Sequence, residues 1–172
     1  MKDLCAGYQT PVVRNVSFEI KEGQLAAILG PNGAGKSTLL NAMAGGVRKT
    51  SGQVLVKGQD CLPLSAKQRA KAAVAEAARA FGLEELLNAD CAALSQGQRQ
   101  LVHLARAMVQ SAPVLLLDEP GSALDFSNTH RLFRLLGEQL ARGGRCAAAV
   151  LHDPALALRY CSPVLLLKEG RI

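Results

Sequence analysis

Between an apolar run, Leu25-Ala26-Ala27-Ile28-Leu29, and a helical pattern through Leu39, Leu40, Met43 and Ala44 stand nine residues: Gly30-Pro31-Asn32-Gly33-Ala34-Gly35-Lys36-Ser37-Thr38. They fit G-x-x-x-x-G-K-[ST] in the strand-to-helix setting that this pattern demands. An uninterrupted apolar strand is one buried on both faces, as in a parallel sheet. The glycines let the backbone wrap an anion, with successive N–H groups pointing inward. The following helix adds about half a positive charge at its N-terminus. The string therefore predicts a triphosphate cradle. Lys36 is expected to reach the β- and γ-phosphates, and Ser37 to hold Mg²⁺ through its hydroxyl. A Gly-rich turn with a chance lysine explains the string less well, because strand and helix are both in place.

A second apolar run, Val114 to Leu117, ends in Asp118, Glu119 and Pro120. Proline stops the strand. Two carboxylates at a strand end are costly to bury without a cation. A Mg²⁺-nucleotide supplies one: Asp118 is then expected in the second shell of the metal, and Glu119 to orient and deprotonate the attacking water. A helix cap beside a surface acid explains either residue singly but not both behind four apolar ones. A third run, Ala147 to Leu151, ends in His152; Asp153 and Pro154 then open a helix. A lone histidine after a strand is usually structural. Here three strands end in groups that phosphate chemistry uses, and ligands of open α/β sheets bind outside the carboxyl ends of the strands.

Ser95 and Gln98 form a capping box. The helix they open places Leu101, Leu104, Ala105 and Met108 on one face, and Gly97 permits close backbone approach. By itself this is an ordinary capped helix; just ahead of the acidic strand it becomes a second anion-ready terminus.

With these motifs in view, the chain resembles the ATP-binding-cassette (ABC) ATPases over nearly its whole length. Gly30–Thr38 matches the Walker A motif, including Asn32, Gly33, Gly35, Lys36, Ser37 and Thr38, and Val114–Glu119 matches Walker B. Leu94–Gln98 resembles the signature LSGGQ, with Gln96 in place of its first glycine. Ser122-Ala123-Leu124-Asp125 matches the D-loop and His152 the switch histidine. Tyr8 stands where the family has an adenine-stacking aromatic; as a lone tyrosine it reads equally as a half-buried packing residue. Leu158-Arg159-Tyr160-Cys161 resembles ATPases of iron-chelate, haem and cobalamin importers. The resemblance implies ATP and Mg²⁺ as ligands, a head-to-tail homodimer and transmembrane permease subunits. In that dimer Ser95, Gly97 and Gln98 of one copy, with Asp125 nearby, meet the nucleotide held by Lys36 of the other. It also implies a place on the cytoplasmic face of the cell membrane.

The pattern breaks in one region. Family members carry a glutamine loop after Walker A, and none is found here: Gln53, Gln59 and Gln68 all stand in the wrong context. Ser65–Arg69 resembles the segment before it, and Ala70–Gly82 already resembles the helix leading to the signature. A few dozen residues expected between them are absent, and the segment 62–112 reads as a reduced helical subdomain within a single domain, 1–172. Little precedes Tyr8, and the chain stops at Gly170-Arg171-Ile172, where family members continue. A natural internal deletion and an omission from the recorded sequence both fit. Without the segment, ATP hydrolysis is expected to be weak and permease coupling poor, with Leu101, Leu104 or Met108 partly exposed and Ala66–Leu94 mobile.

Composition narrows the rest. At 172 residues, 49% apolar and 3% aromatic, the chain suits one Leu/Ala/Val-rich α/β core, not an aromatic nucleic-acid platform. The net charge of +6 is dispersed: Lys67, Arg69 and Lys71 lie together, but Arg131, Arg134, Arg142 and Arg145 lie far along the chain. It reads as a solvated surface, and no nucleic-acid partner is expected. No run is long enough to span a bilayer, and Met1–Leu4 lacks a signal-peptide core. Cys5, Cys61, Cys91, Cys146 and Cys161, odd in number and without C-x-x-C spacing, read as reduced thiols.

The expected order is strands Val12–Ile20 and Leu25–Leu29, helix Gly35–Ala44 and strand Gln53–Lys57. Helices near Ala66–Phe81, Glu84–Leu87 and Gln96–Gln110 follow. Strand Val114–Leu117, helix Ser127–Arg142, strand Arg145–Leu151, helix Pro154–Tyr160 and strand Pro163–Lys168 complete it. This alternation predicts an α/β P-loop fold with a mostly parallel sheet and right-handed crossovers. The resemblance adds an N-terminal antiparallel side sheet. Three functions stand open: an importer ATPase for an iron chelate, haem or cobalamin-like substrate; a soluble ABC ATPase; and an uncoupled nucleotide-binding remnant.

Overall fold

A computed structural model describes residues 1–60, 77–109 and 112–172. Strands β1 (Lys2–Gly7), β2 (Pro11–Val16) and β3 (Leu25–Leu29) lead into α1 (Lys36–Met43). Then come β4 (Lys49–Gln53), β5 (Leu55–Val56) and β6 (Gln59–Asp60). Residues 77–81 are helical, and 3₁₀ turns follow at Glu84–Leu86 and Cys91–Ala93. Beyond them stand α2 (Gln96–Val109), β7 (Val114–Asp118), α3 (Phe126–Ala141), β8 (Cys146–Val150), α4 (Pro154–Tyr160) and β9 (Val164–Leu166).

The central sheet is parallel throughout, in the order β7-β8-β3-β9. Strand side chains alternate between faces, so each run feeds two cores. Leu25, Ala27, Leu115, Ala147 and Ala149 join α2, α3 and α4 on one face. Ile28, Ala148 and Val150 join α1, β1 and β2 on the other. Leu132, Phe133, Leu136 and Leu140 fall on a single stripe of α3 and are all buried.

Four elements depart from the expected order. β1 is a strand that charge conceals: Lys2 and Asp3 stand at its start, while Leu4 and Ala6 are fully buried. It forms the middle of an antiparallel sheet, β2-β1-β4. β2 ends at Val16, short of Ile20, because the chain closes there on its own start: the amide of Phe18 donates to the Met1 carbonyl at 3.3 Å. The strand expected over Gln53–Lys57 is instead the end of β4 and a small β5-β6 hairpin turning at Lys57 and Gly58. The helix expected at Glu84–Leu87 is a 3₁₀ turn.

The signature-helix face is covered, against expectation. Leu101, Leu104 and Met108 are buried, in one cluster with Ala77, Ala78, Phe81 and Leu83. The short stretch before the signature thus supplies apolar neighbours for α2. Residues 66–76 of the predicted mobile stretch, with Gln68 and Cys61, lie outside the described residues.

Burial separates the thiols. The Cys161 thiol is pushed up from 9.0 to about 11 by desolvation. The Cys146 thiol rises through burial and then through the nearby Glu22 carboxylate. Cys5 is lowered, chiefly by a hydrogen bond from Ser51. Since the thiolate is the nucleophile, a maleimide at pH 8 should label Cys5 well before Cys161, and Cys161 only on unfolding; mass mapping of the adducts reads the order. Above about pH 9 the unfolded chain releases a proton that folded Cys161 keeps, so stability should fall as pH climbs towards about 11.

Candidate nucleotide site

The sheet register lines up three strand ends. Ile28 pairs with Val150, and Val150 with Asp118. Gly30 and His152 follow their paired residues by two positions, and Glu119 follows by one. The chemistry at the three ends is brought to one edge by backbone pairing.

At β3 the chain turns into α1 through Gly35, which has a φ of +99°. No side chain caps α1, and the first N–H groups of a helix have no intrahelical partner. A Cβ on Gly30 would run into the Leu167 carbonyl, and one on Gly35 would lie 3.2 Å from a Val12 methyl. The loop is therefore a close-packed cradle of backbone donors. Lys36 is the one buried charged residue among those described, and its Nζ donates to the carbonyls of Gly30 at 2.9 Å and Pro31 at 3.1 Å. The ammonium is held over the loop that the phosphates would enter. Ser37 is exposed beside it, as are Asn32 and Gly33, and Thr38 is partly buried.

Asp118 ends β7 with its side chain exposed. Glu119 adopts a φ of +48°, rare for a residue with a side chain. Its amide donates to the Val150 carbonyl at 3.2 Å, and its own carbonyl accepts from Ser122 at 3.1 Å. Such strain costs roughly 1–3 kcal/mol and persists where the surroundings over-determine it. The outcome is a carboxylate aimed across to the next strand. Glu119 Oε1 lies 2.6 Å from His152 Nε2, both side chains about half exposed. A neutral imidazole protonated on Nε2 donates to that carboxylate and leaves its second oxygen free for a water.

The other predicted residues fall in two places. Ser95 and Gln98 form the capping box: the Ser95 amide donates to Gln98 Oε1 at 2.8 Å, and the Gln98 amide to Ser95 Oγ at 3.2 Å. Gly97 packs against Leu124, which a Cβ there would meet at 3.4 Å. The signature thus sits on the loop after Glu119, and none of its side-chain bonds reaches the phosphate loop of its own chain. Asp125 caps α3, accepting from the Asn128 amide at 2.8 Å. Tyr8 is 68% exposed at the β1–β2 turn, and β2 carries Val12 onto Gly35. Gln53 ends β4 opposite Lys2, in the side sheet. Sequence reasoning passed over Gln100, whose Nε2 donates to the Pro120 carbonyl at 2.8 Å and ties α2 to the turn after Glu119. Its signal was present: Gln100 lies one helical turn beyond Gly97.

A polyphosphate fits this donor set of uncapped amides and a buried ammonium, and the exposed Ser37 hydroxyl and Asp118 carboxylate suit a hard cation. The described residues gather no cluster of three His, Cys, Asp or Glu side chains suited to a metal ion. A cavity of about 730 Å³ opens at the opposite, amino-terminal edge among Lys21, Val56, Val114 and Cys146. It shares no residue with the cradle.

The sequence profile of the family described as ABC transporter matches residues 13–74 and 64–122. The chain belongs to the ABC transporter family. It is 33% identical over 201 residues to the cobalamin import ATP-binding protein of Halobacterium salinarum, covering 95% of the chain and 50% of that protein. The chain thus spans about half the length of that relative. It is 37% identical over 200 residues to the hemin import ATP-binding protein of Streptomyces coelicolor, covering 94% and 71%. Among solved structures, cbiO1 from Clostridium perfringens superposes with a TM-score of 0.85 at 26% identity, covering 99% of this chain and 84% of that one. A dimeric cassette in a post-hydrolysis state with ADP and Pi gives 0.81 at 25%, covering 99% and 94%. The alignment to the Halobacterium protein has 201 positions against 172 residues here, so at least 29 of them have no counterpart in this chain. As a fold, the cassette is the expected α/β P-loop domain with its antiparallel side sheet. Among the described residues no helix is long and apolar enough to cross a membrane.

Proposed function

We propose that this cassette is the ATP-binding and ATP-hydrolysing subunit of an importer for an iron chelate, haem or cobalamin-like substrate. The observation that carries the reading is the Glu119–His152 contact at 2.6 Å, on the sheet edge that also holds the phosphate loop. The named import relatives support the transport part.

In this reading Lys36 exchanges its two carbonyl acceptors for the β- and γ-phosphates. The uncapped amides of α1 and the loop take the remaining oxygens. Ser37 would hold Mg²⁺, with Asp118 in its second shell; the ion when bound neutralises charge on the transferring phosphoryl group. Tyr8 stacks on the adenine. Glu119 accepts a proton from the attacking water, and His152 holds the carboxylate in line for it. A second copy, packed head to tail, brings Ser95, Gly97 and Gln98 over the γ-phosphate, with Asp125 holding the start of α3 beside them. The two copies dock beneath transmembrane permease subunits on the cytoplasmic face of the membrane. The single domain 1–172, with its reduced segment 62–112, forms each copy, and the dispersed charge suits no nucleic-acid partner.

Vesicles containing the cognate permease and this chain, supplied with Mg·ATP, test the proposal. Phosphate release and uptake of haem or cobalamin that both depend on the chain support it. A second reading, an uncoupled nucleotide-binding remnant, rests on the 29 or more alignment positions without a counterpart. Slow hydrolysis that the permease leaves unchanged selects the second reading, and no nucleotide binding at all overturns both.

A further inference from the structure

Two helices leave the reactive edge, each beginning just beyond a reacting group. α3 starts at the Asp125 cap, after the turn that follows Glu119, and α4 starts at the Asp153 cap directly after His152. Asp153 Oδ1 accepts from the amides of Ala155 at 2.8 Å and Leu156 at 3.3 Å, which welds His152 to its helix. α4 has only 7 residues and two buried side chains, Leu156 and Ala157. At 1.5 Å per residue it is about 10 Å long. So small an apolar face holds a helix to its neighbours without fixing its rotation, because the hydrophobic effect is non-directional.

A directional bond stands at the far end. The Tyr160 hydroxyl and His130 Nδ1, on α3, lie 2.8 Å apart. The rings around them are fitted: Phe133 stacks on Tyr160 at 5.8 Å, and Phe126 meets His130 edge-on at 4.1 Å. The phenol donates to Nδ1 when the neutral imidazole carries its proton on Nε2. This bond joins the helix behind Glu119 to the helix behind His152.

We propose that His130 and Tyr160 are a positioning pair, whose bond fixes α4 against α3 and so keeps His152 within hydrogen-bond reach of Glu119. The proposal rests on the reading of Glu119 as the base, and neither residue of the pair is catalytic.

Tyr160→Phe keeps the stacking and removes only the hydroxyl. Losing one hydrogen bond of ordinary net strength should lower kcat for ATP hydrolysis about 3- to 10-fold, with KM and nucleotide affinity unchanged. His130→Asn places a side-chain oxygen near the Nδ1 position and should restore most of the rate that His130→Leu loses. In a Glu119→Gln background Tyr160→Phe should cost nothing further, because it acts through that carboxylate. Independently of turnover, the imidazole NMR resonances of His152, assigned by His152→Ala, should shift towards solvent-like values in Tyr160→Phe. Unmoved His152 resonances, a parental kcat, or an equal loss in the Glu119→Gln background would overturn the pair. If instead Glu119→Gln hydrolyses ATP at the parental rate, the assignment of the base fails, whatever Tyr160→Phe does to the His152 resonances.

Discussion

Glu119→Gln is expected to slow ATP hydrolysis by roughly 10²–10⁴, the scale of a positioned general base. The change is nearly isosteric. A glutamine oxygen at the Oε1 position still accepts from His152 Nε2, now 2.6 Å away, so the geometry of the edge survives and only the capacity to take a proton is lost. Nucleotide binding should therefore stay parental. The variant should also accumulate as an ATP-bound dimer, because hydrolysis is what would separate the copies. Single-turnover phosphate release, with sizing in the presence of Mg·ATP, reads both effects. Parental turnover would remove Glu119 from the role of base.

Lys36→Ala should act one step earlier. The residue is 7% exposed and its ammonium is satisfied by two loop carbonyls. Those bonds are charge-assisted, and their counterparts to a triphosphate are stronger still, since both partners are then ionised. Hydrogen bonds to charged groups contribute about 1.5–3 kcal/mol each, so losing one or two weakens nucleotide affinity by about 10- to 10⁴-fold. The folded chain should suffer little, because the freed carbonyls border a loop open to water. A titration with fluorescent ATP and a melting curve separate the outcomes. Unchanged affinity would refute the cradle; lost affinity with a collapsed melting temperature would mean that Lys36 is a structural residue.

The chemistry of this chain was more legible in its sequence than its outline. Runs buried on both faces announce themselves, and Leu25–Leu29 matches β3 residue for residue. α4 also matches, because Asp153 and Pro154 specify its start and its side-chain cap. β1 escaped because a six-residue strand with Lys2 and Asp3 at its head carries too short an alternation to stand out. Ser17–Ile20 misled in the opposite direction: Phe18 and Ile20 alternate as in a strand, yet line the second core from outside the ladder. Gly30, Glu119 and His152, each read from a local motif, lie at neighbouring strand ends because the ladder pairs the residues before them. The links between motifs, Gln100 to Pro120 and His130 to Tyr160, were unreadable, since each spans at least 20 residues and requires the fold before the partners meet. The cover over α2 was likewise invisible until Phe81 and Leu83 were seen packed with Leu101 and Leu104 in one cluster.

The alanine run in β8, an inner strand of the parallel sheet, bears on how the alignment of the edge is kept. Ala147, Ala148 and Ala149 are all fully buried and face alternate cores. A strand normally resists slipping because a one-residue shift swaps its apolar and polar faces. Here a shift would exchange alanine for alanine, and the centre of β8 is nearly indifferent to it. Discrimination falls to the ends. At the entrance Arg145 accepts from the Gly23 amide at 2.8 Å and its guanidinium donates to the Met108 carbonyl at 2.8 Å. At the exit the Leu151 amide donates to Ile28 at 3.2 Å, with His152 against Glu119 just beyond. β8 is a featureless slider clamped by two latches, and the outer latch is made from the same pair that would process the water. Loosening the chemistry therefore loosens the indexing of the sheet that delivers it.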